Sequence, residues 1–340
     1  MTGADAIPVS VLTGFLGSGK TTLLGHLLRQ PEFSRTAVII NEFGEIGLDH
    51  ELIETSDDSI VALTTGCLCC KVGTDLSQTL QDLLRRRDEG SCSRFDRIVI
   101  ETSGLADPAP ILHALMTDPT IAACLALDGV VAAVDAVNGY ATVEREAVSR
   151  KQIAVADRIV LTKLDLAEGD TEAALRTRLS GLNAGAPTLR AVHGCIESTD
   201  LFDAARRSRK TGRREFDAWL GDLNGHIHHT HDTEITTYAV LRTVPIQAVA
   251  LTLFLEALAE HCGADLLRLK GIVNIAESPD RAAVIHGVQH VFHAPAWLDR
   301  WPSADRRSRM VFITRSIPQR WVEVLLDAIA AEVEDVSARA

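Results

Sequence analysis

The stretch Gly14–Thr21, reading GFLGSGKT, constrains this chain more than any other part of it. Two glycines five positions apart are followed by lysine and threonine, the pattern of a phosphate-binding loop. The spacing has a mechanical reason. Such a loop must come close to phosphate oxygens and offer them several backbone N–H groups, so side chains are unwelcome at Gly14, Gly17 and Gly19. Lys20 supplies a point charge to the β- and γ-phosphates, and the Thr21 hydroxyl supplies a ligand for Mg²⁺. The context agrees. Ile7–Leu12 reads as a buried strand and Lys20–Arg29 as a helix whose N-terminus faces the anion.

At 340 residues the chain is long for one core and predicts two domains. A formal net charge of −12 argues against a general nucleic-acid or anionic-membrane binder, since phosphate binders carry a basic surface. No run is apolar enough to span a bilayer, and the start MTGADA lacks a basic-then-apolar signal. The expectation is a cytoplasmic protein. Its seven cysteines are then thiols, metal ligands or core residues rather than disulfides.

A second strand, Thr36–Ile40, runs into NEFGEIGLD, Asn41–Asp49. Glycines and acids after a strand end predict a loop in the place of a nucleotide-sensing switch. Glu42, Glu45 and Asp49 are the acids that could reach Mg²⁺ or another metal, although for each one alone a solvated acidic loop is the favoured reading. Ser59–Leu63 is a further strand, and TTGCLCC follows it. Closely spaced thiolates suit Zn²⁺ or Cu(I), and Cys67 and Cys69 share one side of an extended segment, with Cys70 joining after a bend. Three thiolates leave one tetrahedral position open, which suits a site that hands metal on. A redox-active thiol cluster and plain packing remain the alternatives.

Asp75–Arg87 reads as an amphipathic helix. The strand Arg97–Ile100 then delivers ETSGLADP, in which Glu101 would hold Mg²⁺ through water and the Gly104 N–H would face the γ-phosphate. Gly129–Val134 is a strand ending at Asp135, and Arg158–Leu161 a strand ending in TKLD. Thr162, Lys163 and Asp165 are nucleotide-binding candidates: Thr162 stands where asparagine is commoner, Lys163 would lie along the base plane, and the Asp165 carboxylate would accept guanine N1–H and N2–H, which adenine lacks. Alternating strands and helices through about residue 195 predict an α/β fold, a mostly parallel sheet with helices on both faces and its ligands at the carboxyl strand ends.

Residues 196–232 read as a linker with a basic patch (Arg206 to Arg214), a short helix near Phe216–Leu223, and HIHHTH at His226–His231, which is metal reservoir or solvated chain. Residues 233–340 form a smaller α+β domain: strands Thr236–Leu241, Leu267–Ile275, Ala283–His293 and Arg309–Thr314, and helices Pro245–His261 and Pro318–Val333. His286 and His290 fall on one face of the third strand, where cross-strand packing explains them without a ligand role.

The ordered set GFLGSGKT, NEFGEIGLD, GCLCC, ETSGLADP and TKLD resembles the CobW family of P-loop GTPases, relatives of the GTPases that insert nickel into hydrogenase and urease. RLKG, HGVQHVF and RMVFI resemble that family's C-terminal pattern, so the likeness covers nearly the whole chain. It implies a GTP-hydrolysing metallochaperone that delivers a transition metal to a client metalloprotein; the three thiolates put Zn²⁺ first, and the family's cobalamin-linked members put Co²⁺ second. It implies Gly17, Ser18, Gly19, Lys20, Thr21 and Thr22 as phosphate contacts, Glu42 as switch acid and candidate metal ligand, Cys67, Cys69 and Cys70 as the metal motif, and Asp165 as the guanine reader. A homodimer stays open. A redox-sensing GTPase and a small-molecule kinase are the competing classes, and TKLD weighs against the kinase.

Overall fold

The computed structural model describes residues 6–41, 60–63, 72–167, 170–197, 201–202, 235–292 and 295–339. Glu42, Glu45, Asp49, Cys67, Cys69, Cys70, His293, the basic patch and the histidine run lie outside them. The chain divides into two compact units, residues 1–179 with 186–205 and residues 180–185 with 206–340.

The first unit is built on β1 (Ile7–Thr13), β2 (Thr36–Asn41), β3 (Ile60–Leu63), β4 (Arg97–Thr102), β5 (Leu125–Asp135), β6 (Arg158–Thr162) and β7 (Thr188–Arg190). They form a seven-stranded sheet in the order β3-β2-β4-β1-β5-β6-β7. Every neighbouring pair is parallel. Parallel strands are covered on both faces and so read as continuous apolar runs, and β4 and β6 are buried along their whole length. The connecting helices are α1 (Lys20–Leu28), α2 (Val72–Asp88), α3 (Ala109–Thr117), α4 (Pro119–Cys124), α5 (Gly139–Arg145), α6 (Ala147–Val155) and α7 (Thr171–Leu182). Leu23, Leu24 and Leu27 of α1 are fully buried and pack with Leu12, Val38, Val99 and Val131 of the central strands. That contact fixes where the loop before α1 sits.

The second unit holds β8 (Ile235–Arg242), α8 (Ala248–Cys262), β9 (Leu266–Asn274), β10 (Ala282–Val288), β11 (Val291–Phe292), β12 (Ala296–Trp297), β13 (Ser308–Arg315) and α9 (Gln319–Arg339). Its sheet runs β11-β10-β9-β13-β8, antiparallel throughout, with β12 beside β10. Alternate residues (Tyr238, Val240, Leu269, Met310, Phe312) meet Phe254 and Leu258 of α8 and Val322 and Leu326 of α9. This is the expected α+β unit, with one correction. The strand expected over Ala283–His293 stops at Val288, and β11 folds back antiparallel on it. Gln289 turns the chain at φ 52°, and Gly287 lets the Phe292 ring lie across it, since a Cβ there would stand 2.4 Å from Cδ1. His290 therefore leaves the face of His286, and its Nδ1 lies 2.9 Å from the Ala259 carbonyl oxygen.

Candidate functional site

The carboxyl ends of β1, β4, β5 and β6 meet at one edge of the first sheet, with Leu12 opposite Glu101 and Asp135 opposite Thr162. The phosphate-binding loop leaves β1 there. Gly14, Gly17 and Gly19 have φ of 141°, 70° and 82°, the region that favours glycine. Gly14 is also pressed onto β5: a Cβ would stand 2.3 Å from the Ala133 carbonyl oxygen. The N-cap of α1 is Gly19, which has no side chain to cap it, so the first-turn N–H groups face the loop's interior. The Lys20 ammonium is buried and donates to the Gly14 and Phe15 carbonyls at 2.9 and 3.2 Å.

Across the loop, Thr21 Oγ1 donates to Glu101 Oε1 at 2.8 Å. This hydroxyl and carboxylate, side by side at a strand end, form a hard oxygen set of the kind Mg²⁺ takes. The turn after β4 touches the loop at Gly104, where a Cβ would come within 2.6 Å of the Leu16 nitrogen. Gln152 of α6, buried beneath that turn, donates to the Gly104 and Ala106 carbonyls at 3.2 and 3.0 Å.

TKLD flanks the other side. The Thr162 hydroxyl is buried and donates to the Ser18 carbonyl at 2.7 Å, which ties β6 to the phosphate loop. Lys163, at φ 54°, places its ammonium 2.8 Å from Asp135 Oδ2. Burial acts to raise the Asp135 carboxyl, but Lys163 and the N–H groups of Val137 and Asn138 outweigh it and hold it below the usual range. Asp165 stands partly exposed at the rim, where His193 N donates to Oδ1 at 3.4 Å and His193 Nδ1 lies 3.2 Å from Oδ2. Thr22 is exposed beside the loop after β7: a Cβ on Gly194 would lie 3.3 Å from its Cγ2.

The structure thus brings together Gly14, Gly17, Ser18, Gly19, Lys20, Thr21, Glu101 and Gly104, with Thr162, Lys163 and Asp165 alongside. Asp135, Gln152 and His193 are additions that carried no motif of their own. Among the described residues no three His, Cys, Asp or Glu side chains converge on a metal-sized point. Among the same residues no helix is long and apolar enough to cross a membrane.

Comparison with known proteins agrees with this geometry. Residues 8–190 match the CobW/HypB/UreG nucleotide-binding domain, and residues 235–330 the cobalamin synthesis protein cobW C-terminal domain. The chain is 36% identical over 317 residues to the zinc chaperone YjiA of Escherichia coli (strain K12), covering 93% of this chain and 96% of that one. It is 31% identical over 315 residues to the zinc chaperone CobW of a Sinorhizobium species, covering 82% and 84%. The crystal structure of Zn(II)-bound YjiA GTPase from E. coli superposes with a TM-score of 0.70 at 29% identity, covering 95% of this chain and 99% of that one. A Zn(II)-bound triple mutant of YjiA, with a glutamate and two cysteines replaced by alanine, gives the same score. With one family description spanning more than half of it and the second following in order, this chain belongs to the CobW/HypB/UreG nucleotide-binding family.

Proposed function

We propose that the chain is a GTP-hydrolysing metallochaperone. It would carry zinc, with cobalt the second choice, on Cys67, Cys69 and Cys70 and pass it to a client metalloprotein as GTP turns over. Residues 1–195 would be the GTPase domain, 196–232 the linker and 233–340 the C-terminal domain, in a cytoplasmic protein that binds neither nucleic acid nor membrane.

One observation carries this reading: the cysteine-bearing segment follows a parallel strand of the GTPase sheet. Asn41 and Leu63 are paired at the ends of β2 and β3, on the edge from which the phosphate loop leaves. Glu42 is the next residue after Asn41, and Cys67 comes four after Leu63. β3 lies three strand spacings from β1, about 14 Å, a distance short loops bridge. The names of YjiA and CobW supply zinc as the cargo.

The chemistry follows from the described side chains. Lys20 exchanges its two carbonyl contacts for the β- and γ-phosphates, and the uncapped turn of α1 binds their oxygens. Thr21 and Glu101 would hold Mg²⁺, which neutralises charge developing on the phosphates. Gly104 N–H meets the γ-phosphate, and loss of that phosphate frees its turn. Asp165 selects guanine. No arginine finger or base stands in the motifs, so the intrinsic rate is slow.

A zinc titration against a chromophoric chelator, with GDP and with a non-hydrolysable GTP analogue, tests the coupling. The analogue should tighten zinc, and zinc should tighten the analogue by the same factor. Equal affinities in the two states would end the switch. Replacing Cys67, Cys69 and Cys70 by serine should remove the tightest zinc equivalent; an unchanged tight stoichiometry would move the site elsewhere.

A further inference from the structure

The loop after β7, Val192 to Cys195, closes on itself by an antiparallel bridge between those two residues and lies against α1. Its Cys195 is exposed, and its sulfur lies 3.8 Å from His26 Nδ1 on α1. Two ligands of a tetrahedral zinc ion, one thiolate and one imidazole, stand about 3.6 Å apart. The pair is therefore spaced as neighbours in such a shell. Gly194 makes the approach possible: it has φ 78°, and a Cβ there would lie 2.6 Å from His26 Cδ2.

The third donor is nearby and engaged elsewhere. His193 reaches both oxygens of Asp165, the N–H at Oδ1 and the ring at Oδ2. Guanine N1–H and N2–H would address those same two oxygens. A guanine base that takes Asp165 releases the His193 ring, two residues from Cys195. The Lys163 ammonium pairs with Asp135.

We propose that Cys195, His26 and His193 form a second, nucleotide-gated zinc site at the base end of the GTPase domain. Cys195 and His26 hold the ion weakly alone, and His193 completes three ligands once guanine occupies Asp165. The Cys195 thiol, which donates to the His193 carbonyl at 4.0 Å, gives its proton to water when the metal binds. The fourth position stays open to water, which suits transfer over storage. The gate rests on the guanine reading of Asp165; the two-residue seat does not.

The test uses full-length protein with Cys67, Cys69 and Cys70 changed to serine, so that the motif is silent. Zinc is titrated against a chromophoric chelator without nucleotide and with GDP, and Co²⁺ serves as a spectroscopic stand-in. One zinc equivalent is expected, tightened about tenfold by GDP, with GDP tightened equally by zinc. Cys195→Ser should abolish both the equivalent and the thiolate-to-cobalt charge-transfer band, and His26→Ala should weaken binding with or without GDP. His193→Ala should keep the weak seat, lose the GDP effect, and bind GDP more tightly in metal-free buffer. Protection of Cys195 from iodoacetamide by zinc gives the same answer in the otherwise unaltered loop. No equivalent in the motif-silent protein, or one that survives Cys195→Ser, overturns the site. Zinc affinity indifferent to bound GDP overturns the gate alone, whereas failure of GDP to bind at all sinks the guanine reading and the gate together.

Discussion

Thr162 and Asp165 sit three positions apart yet serve different ends, and single substitutions should separate them. Thr162→Val removes the hydroxyl that meets the Ser18 carbonyl and leaves a buried acceptor without it, a cost of about 1–3 kcal/mol. Affinity for guanine and adenine nucleotides should fall together, because the damage is to the phosphate loop. Asp165→Asn should instead erase the preference for guanine while phosphate binding persists; competition of GDP against ADP for a fluorescent nucleotide measures both. Asp135 acts through pH. Its folded carboxyl is depressed, so its contribution is full above the unfolded value near pH 4 and fades as pH falls through the folded one. Asp135→Asn should therefore cost about 1–3 kcal/mol at pH 7, with the gap to the wild type closing in urea melts taken below pH 4. None of these partnerships was legible in the sequence. Lys163 reaches back 28 positions to Asp135, and Gln152 reaches 48 to Gly104. The chain has no local pattern that announces such pairs.

Elements were more legible than contacts. Strands buried on both faces show as apolar runs wherever they lie, which is why the loop-bearing ends of β1, β4 and β6 were found to within two residues; each strand runs on past its last apolar residue, so Glu101 and Thr162 lie inside strands rather than after them. The break between β10 and β11 was hidden because apolar Val288 and Val291 continue the run across a turn made by Gln289 and His290. The turn carrying Gly104 shows what an element demands of one residue. Gly104→Ala puts a methyl against the backbone of the phosphate loop at Leu16, and one of the two must move. Overpacking of this kind costs about 1–3 kcal/mol. Here it should appear as a fall of about tenfold or more in kcat/KM for GTP, with far-ultraviolet circular dichroism unchanged.

At the level of the whole molecule, each unit has its own apolar core. Phe312 is fully buried in the second, stacked on Tyr238 with ring centroids 5.5 Å apart and meeting the edge of Phe254 at 6.5 Å. Phe312→Ala should destabilise that unit by about 3–5 kcal/mol, seen as an earlier denaturation transition, while GDP binding stays within about twofold. Loss of GDP binding would show that the units fold as one. The strand order of the first sheet carries a different consequence. Among the described residues β3 stands at the edge, with four ladder pairs to β2, whereas β1 is zipped between β4 and β5. Backbone opening is cheapest where few hydrogen bonds must break together, so amide exchange at Ile60–Leu63 should be far faster than in β1. Zinc held by the cysteines that follow Leu63 would pin the end of that strand, and slowed exchange there would record the metal's arrival in the backbone itself.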